Sequence, residues 1–385
     1  MAALNSFQKI TRVLPGMPFG SGADGALTIS SNTTQSLTIK SCSGSSGSTT
    51  LTIASGDFTN GDVVIIHQTR GTGAGQWEVN RVSSGGGTTS LTLQVALNYT
   101  YTDSGASQAQ VFKLPMYTTV VVNGSTTWSA TDWDANINGF LAFAVNVSAT
   151  ITGNLSSQGK GFVAGAAVAS GVAGNQGEST TGAGSASTSA NGMAGGGGNY
   201  ATNNQRQGGG GGGYATAGTT GGTLGGGSPT PGAGGGTGGA ADLTTLIFGG
   251  SGGSGSGESG TDGGGAGGDS GGGIFIFAKD ITITGTINGK GSDGPAATGS
   301  GAGGGGAGGS ILLEVGSATL GSNLMTATGG AGGDGNSTAD GGAAGTGRIA
   351  IHHSGTVSGT SNPTFTDTTD STLVETGGGF IQNLI

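Results

Sequence analysis

Six consecutive glycines, Gly208 to Gly213, sit inside the stretch GMAGGGGNYATNNQRQGGGGGGYATAGTTGGTLGGG. Shorter stretches of the same kind follow, SDGPAATGSGAGGGGAGG and AGGDGNSTADGGAAG. Glycine loses more backbone freedom on folding than any other residue. A tract like this is therefore either a flexible linker or a structure whose hydrogen bonds repay roughly 1–2 kcal/mol per ordered residue. Composition favours the second. Disordered chains combine low hydrophobicity with high net charge, whereas this one is 32% hydrophobic and 8% charged. A collagen helix needs glycine strictly at every third position and abundant proline; here 92 irregularly spaced glycines accompany 7 prolines. A polyproline II helix has three residues per turn and no internal hydrogen bonds, so its N–H and C=O groups point outward. Several such helices packed side by side can bond to one another, and only glycine fits where they touch. The glycine stretches are expected to form packed polyglycine II helices.

Between these stretches an apolar pattern returns. Residues 139–160 read GFLAFAVNVSATITGNLSSQGK, 271–291 read GGGIFIFAKDITITGTINGKG, 309–330 read GSILLEVGSATLGSNLMTATGG, and 347–355 read GRIAIHHSG. Each has a strand-like apolar run after glycine, and the first three add a second strand. Phe140 aligns with Ile274, Ala144 with Ala278, Ile151 with Ile283, Gly153 with Gly285 and Gly159 with Gly291. Strands at fixed places with loops of variable length are the mark of a β-solenoid, whose coils bury their apolar faces only by stacking.

The fold is expected to be all-β: a small N-terminal β-barrel or sandwich, then a short β-solenoid with packed polyglycine II excursions. Residues 1–43 read as an N-terminal arm with the first strands, since ALTISSNTTQSLTIKSC alternates at period two. Residues 44–116 carry β-branched and aromatic runs spaced by glycine turns, including the hairpin signal Asn60-Gly61, and read as a small antiparallel domain. Residues 117–355 are the solenoid, whose longest excursion covers 162–270, and 356–385 are a C-terminal tail.

The supply of chemical groups is thin. With 11 basic and 20 acidic residues and a net charge of −9, no basic stripe exists to neutralise phosphates, which argues against nucleic acid. No apolar stretch is long enough for a transmembrane helix, so no membrane insertion is expected. The N-terminus MAALNSFQKITRVLPG lacks a basic start and a long apolar run, so export by a general signal peptide is not expected. A single cysteine, Cys42, excludes an intrachain disulfide. His352 and His353 are neighbours that a strand would point to opposite faces, and a third histidine is His67. Asp132 and Asp134 form an i, i+2 carboxylate pair read as a turn or solvent feature in preference to a glycosidase dyad. Gly264–Asp269 and Gly329–Asp334 match the opening of a calcium-binding nonapeptide but lack its apolar position. No enzyme activity, cofactor or metal is expected.

The aromatics in glycine loops are the stronger lead. Tyr200 and Tyr214 flank Asn203, Asn204, Gln205, Arg206 and Gln207. Rings that stack beside amides that hydrogen-bond suit contact with a glycan or a protein; the same rings could instead pin the glycine helices. Ile10, Val13 and Leu14 near the N-terminus, and Phe380, Ile381, Leu384 and Ile385 at the C-terminus, are apolar segments suited to docking on a partner.

The GGGG tracts over about residues 160–347 resemble the glycine-rich adhesins at the tips of phage long tail fibres. Those adhesins pack polyglycine II helices and contact the host receptor through the loops between them. The run from GADGALTISSNTT through GDVVIIHQTRGTGAGQWEV is similar to glycine-rich proteins of bacteria and phages that carry no assigned activity. The resemblance implies a virion tail-fibre or receptor-binding component, located on the virion. Its partners would be a host cell-surface receptor, glycan or outer-surface protein, and other virion subunits, with homo-oligomers compatible. The receptor contacts it points to are Tyr200, Asn203, Asn204, Gln205, Arg206 and Tyr214. The alternative is a subunit of a bacterial or archaeal extracellular filament or surface layer.

Overall fold

The computed structural model describes residues 18–199, 206–224, 230–258 and 262–374. Within them the regular structure is all β, and no helix is long and apolar enough to cross a membrane.

Two parallel sheets run side by side, and the chain visits them alternately. The long sheet orders Ala26–Ile29, Met116–Val122, Phe140–Ile151, Gly273–Ile283, Ser310–Thr319, Arg348–His353 and Thr366–Thr369, with Val357–Ser358 also paired to Ser310–Thr319. The short sheet orders Thr33–Thr34, Thr127–Ser129, Asn154–Ser156, Thr286–Asn288, Met325–Thr326 and Ser361–Asn362. Spatial order equals chain order in both, so the chain winds as a solenoid of six rungs.

Parallel strands covered on both faces carry continuous apolar runs; FLAFAV and IFIFA are of this kind, and ILLEV is interrupted only by Glu314, which is buried and paired with His352. Leu141, Phe143 and Val145 face the space between the sheets, stacked on Ile274 and Ile276, on Ile311 and Leu313, and on Ile349 and Ile351. Phe140, Ala142, Phe275, Phe277 and Leu312 face the other way.

The pairing corrects the expected register. Phe140 lies against Gly273, and Ile274 against Leu141, one residue away from the sequence alignment; Ala278 likewise pairs with Val145. Past an irregularity between Val145 and Ala149 the expected pairing Ile151 with Ile283 holds. A bulge adds a residue to one strand, and a slip of one residue moves a side chain to the opposite face. Phe140 accordingly packs outward while Ile274 packs inward.

Between the first and second rungs the chain forms a closed antiparallel barrel of six strands, Ile39–Ser43, Thr50–Ile53, Ser90–Leu93, Trp77–Ser84, Val63–Arg70 and Gln108–Lys113 in spatial order. Val64, Ile66, Leu51, Leu91 and Val111 fill it. The alternate residues Val63, Ile65, Trp77 and Phe112 pack against the outward face of the long sheet. The same face receives Leu243, Leu246, Ile247 and Phe248 from the longest glycine excursion.

The excursions form a hydrogen-bonded lattice with a three-residue repeat. Gly209 and Gly212 donate to Ala302 and Gly305, Gly210 and Gly213 to Gly196 and Met193, and Gly208 and Gly211 to Gly222 and Thr219. Successive N–H groups of one segment thus reach three different neighbours, and every third returns to the same one. The segment 250–258 repeats this: Gly252, Gly255 and Glu258 donate to Gly268, Gly265 and Asp262, while Gly250, Gly253 and Ser256 donate to Gly213, Gly210 and Gln207. A backbone making one turn every three residues has this directionality. The close approach excludes side chains: a methyl group at Gly210 would run into the Ala233 carbonyl, and one at Gly304 into the Gly210 carbonyl.

Polar side chains weld the lattice to the barrel and sheet. Arg70 of the barrel forms a buried ion pair with Glu178, whose other oxygen accepts from Trp133 Nε1 at 3.0 Å and from the Val163 amide at 3.1 Å. The Trp77 indole donates to the Leu243 carbonyl at 3.1 Å. His67 lies edge-on to Phe140 at 4.8 Å, with Nε2 2.7 Å from the Leu246 carbonyl and Nδ1 2.9 Å from the Thr69 hydroxyl. Burial pushes its imidazole from the ordinary 6.5 down to about 4.

Two predictions follow from these contacts. Gly210→Ala should cost about 3 kcal/mol through overpacking, whereas Gly124→Ala, whose nearest new neighbour would be 3.9 Å away, should stay within about 0.5 kcal/mol; thermal unfolding of both variants makes the comparison. As pH falls, the unfolded chain protonates His67 first, so the stabilisation is complete above about pH 6.5 and is lost on the way down to about pH 4. The loss is on the order of 3 kcal/mol. In His67→Gln this acid loss should shrink; parallel decline of both midpoints over that window would rule the imidazole out as its source.

Candidate functional site

The lattice has two ends. At one, Met193, Tyr214 and the segment 243–248 rest on the long sheet. At the other, the segments turn back in a set of loops held to one another by backbone bonds. Asn199 N donates to Thr230 O at 3.0 Å, Arg206–Gln207 pairs antiparallel with Thr223–Leu224, and Glu258 N donates to Asp262 O at 2.9 Å. Gly171 N and the Ser170 hydroxyl both reach Glu258 O, at 3.1 and 2.8 Å. Ala297 N donates to Asp334 O, Asn336 N to Ser300 O, and Gly222 N to Asp340 O. The chain at 170–171, 199 and 230, 206 and 224, 258 and 262, 295–301 and 334–340 is therefore brought together at one surface.

Glycine periodicity explains this convergence. Segments in three-residue register rise and fall together, so their turns arrive at the same level. Between the segments the side chains are mostly absent or as small as the buried Ser251, Ser254 and Ser256, and the charged and larger polar residues Arg206, Glu258, Asp262, Asn336 and Asp340 lie at the segment ends.

Arg206 is one of two expected contact residues in the described chain. Its guanidinium is paired with Glu258, with Nε at 2.9 Å from Oε2, and both side chains are largely buried. Next to it, Gln207 is 1% exposed, and its side-chain amide oxygen and nitrogen have no partner among the described residues. Tyr214 is placed as the pinning alternative has it and not as a surface contact. It is fully buried, its hydroxyl 2.8 Å from Ser310 Oγ on the long sheet and its ring 5.3 Å from the Arg348 guanidinium. The six glycines between Gln207 and Tyr214 span the lattice, which carries the ring to the end opposite Arg206. Tyr214 is thus a pin between lattice and sheet, and is corrected from the set of surface contacts. Burial and desolvation raise its phenol to about 12. Tyr200, Asn203, Asn204 and Gln205 lie outside the described residues, as do Ile10, Val13, Leu14, Phe380, Ile381, Leu384 and Ile385.

Residues that the pattern reading did not single out for a role hold the site in place. Glu258 anchors Arg206, and Leu243, Leu246 and Phe248 seat the lattice. The only sequence signal for the latter is the apolar run LTTLIF inside an otherwise glycine-rich excursion. Asp132 pairs with Lys160 at 2.7 Å, and Asp134 accepts the amides of Asn136 and Ile137. His352 binds Glu314 at 2.8 Å, and His353 binds Asp367 at 2.9 Å. Among the described residues no three His, Cys, Asp or Glu side chains gather as a metal-binding group.

Removing Arg206 should take from the largely buried Glu258 carboxylate its guanidinium counter-charge. Arg206→Ala and Glu258→Ala are each expected to destabilise by about 2 kcal/mol, with a coupling of about 1–2 kcal/mol in the double variant. Additive losses in urea unfolding would show that the pair does not brace the loops.

No protein family and no curated protein matches the chain. Among solved structures it is similar to the Gp54 tailspike of Acinetobacter baumannii bacteriophage AP22, in complex with A. baumannii capsular saccharide, at 12% identity and a TM-score of 0.22. That match covers 88% of this chain and 63% of the tailspike. The tailspike protein gp49 from Pseudomonas phage LKA1 is similar at 12% identity and a TM-score of 0.20, over 88% of this chain and 67% of that one. The chain spans less than two thirds of the first tailspike's length, and at such TM-scores no residue's role carries across.

Proposed function

We propose that the chain is a non-enzymatic, receptor-binding component of a virion tail, presenting the loop end of its lattice to the host cell surface. The observation that carries the reading is the convergence of the described segment ends, with Arg206, Glu258, Asp262, Asn336 and Asp340, at one end of glycine segments in three-residue register. A rigid scaffold with its loops gathered at one end is the common design of recognition proteins. In this reading the glycine segments are polyglycine II helices. The barrel and solenoid form the body that carries them, and the terminal segments 1–17 and 375–385 join the body to other virion subunits. Binding without turnover fits the state of the Asp132 and Asp134 carboxylates, which are taken up by Lys160 and by a turn.

A second reading, a subunit of an extracellular filament, is favoured by the open edges of the solenoid. Ala26–Ile29 and Thr366–Thr369 each pair on one side only among the described residues, and parallel edges of this kind can add a further copy head to tail.

The test replaces residues 200–205, 225–229 and 259–261 with short Gly-Ser sequences and measures adsorption of the labelled full chain to a panel of bacterial strains. The receptor-binding reading expects adsorption to at least one strain, lost on replacement. Adsorption that survives replacement sinks the assignment of the lattice end. Electron micrographs of the purified chain showing head-to-tail filaments would favour the second reading.

A further inference from the structure

A cleft of about 350 Å3 opens at the sheet-side end of the lattice, far from the turns just described, where the barrel loop 71–76 meets the glycine segments. Its floor is apolar: Met193 and Ile247 are 5% and 4% exposed. Its walls are Ala74, Gly192, Gly238 and Gly239. Four threonines complete the lining. Thr181 is satisfied, its hydroxyl 2.7 Å from Asn191 Oδ1 and 2.8 Å from Ser179 Oγ. The hydroxyls of Thr180, Thr237 and Thr245 make no hydrogen bond among the described residues. No ionisable side chain lines the cleft.

We infer that this cleft is a saccharide-binding site for an uncharged pyranose unit. A pyranose ring has an apolar C–H face and a rim of hydroxyls, and the cleft offers an apolar floor with free hydroxyls around it. A charged ligand would lose its hydration with no counter-charge in return. The volume is in the roughly 300–1,000 Å3 range of small-molecule sites.

The walls are set before any ligand arrives. Gly71 N donates to Thr180 O at 2.7 Å, Leu246 N to Gly75 O at 3.0 Å, and Gly238 N to Tyr214 O at 3.0 Å. Arg348 Nη2 holds the Gly238 carbonyl at 2.9 Å. Gly75 has φ of +89°, and a side chain there would press on Thr245 and Ile247, so the loop's close approach depends on glycine.

The inference goes beyond the lattice-end reading and is tested separately. The full chain, carbon-13 labelled on Met and Ile methyls, is titrated with the methyl α-glycosides of glucose, galactose and mannose, and with sodium glucuronate. At least one neutral glycoside should give saturable shifts at Met193 and Ile247 at millimolar concentration, and glucuronate none. Thr237→Val with Thr245→Val keeps the methyl packing and removes two hydroxyls; it should weaken binding at least tenfold with an otherwise unchanged methyl spectrum. Ala74→Trp, filling the cleft from the barrel side, should abolish the shifts. No shift with any neutral glycoside, equal shifts with glucuronate, or unchanged affinity in the double valine variant overturns the site. The titration reads the cleft alone and turn replacement reads the lattice end, so either can fail without the other.

Discussion

Every other feature depends on one constraint: backbone amides and carbonyls buried in the glycine lattice must find partners in neighbouring segments, since their own segment offers none. Leaving one unpaired costs about 1–3 kcal/mol, so the segments are tied to one another over their whole length. That requirement brings the backbones closer than any Cβ allows. The carbonyls facing Gly210, Gly212 and Gly304 occupy the space a methyl would need. Glycine here is a packing residue, and the entropy it forfeits is offset by density of hydrogen bonds and not by apolar burial.

The lattice alone has nothing with which to hold its place, and three kinds of contact supply it. Phe248 and Tyr214 plug into the long sheet, Arg70 and Glu178 bridge barrel to lattice, and His67 receives the lattice against Phe140. Buried ionic and polar groups such as these contribute modestly to net stability. They require one geometry, however, because any displacement leaves a charge or a carbonyl unsatisfied. The apolar sheet gives the attraction and the polar bridges give the position.

Much of this was legible in the chain, for reasons that differ by element. The apolar runs at 140–145, 274–278, 311–315 and 349–351 recur because each rung stacks on the next, so a solenoid leaves a repeat. The barrel strands show because glycine-rich connections separate them, though Asn60-Gly61, expected as a hairpin turn, joins Thr50–Ile53 to Val63–Arg70, which lie apart in the barrel and do not pair. The register of the first half of the sheet was not readable: with both faces buried, Phe140, Leu141 and Phe143 offer no polar–apolar alternation to say which side faces in, and the bulge after Val145 leaves no residue signature. Tyr214 misled for a related reason. Its partners, Ser310 and Arg348, are 96 and 134 positions away in the chain, and a ring beside a polar run looks the same whether exposed or pinned. Loop composition carries no information on which end of a lattice it occupies.

The three-residue repeat sets a unit for change in length. Adding one residue to a glycine segment such as 208–213 turns the chain that follows by a third of a turn, so that each following N–H addresses a different neighbour from the one it bonds now. Adding three restores all the directions and only lengthens the segment. The connections at the segment ends have no such unit, because they need only deliver the next segment in register, whatever their own length. A lineage of such chains would vary freely at the tips and in steps of three along the shafts, and would thereby reshape its outer surface without disturbing the rungs beneath.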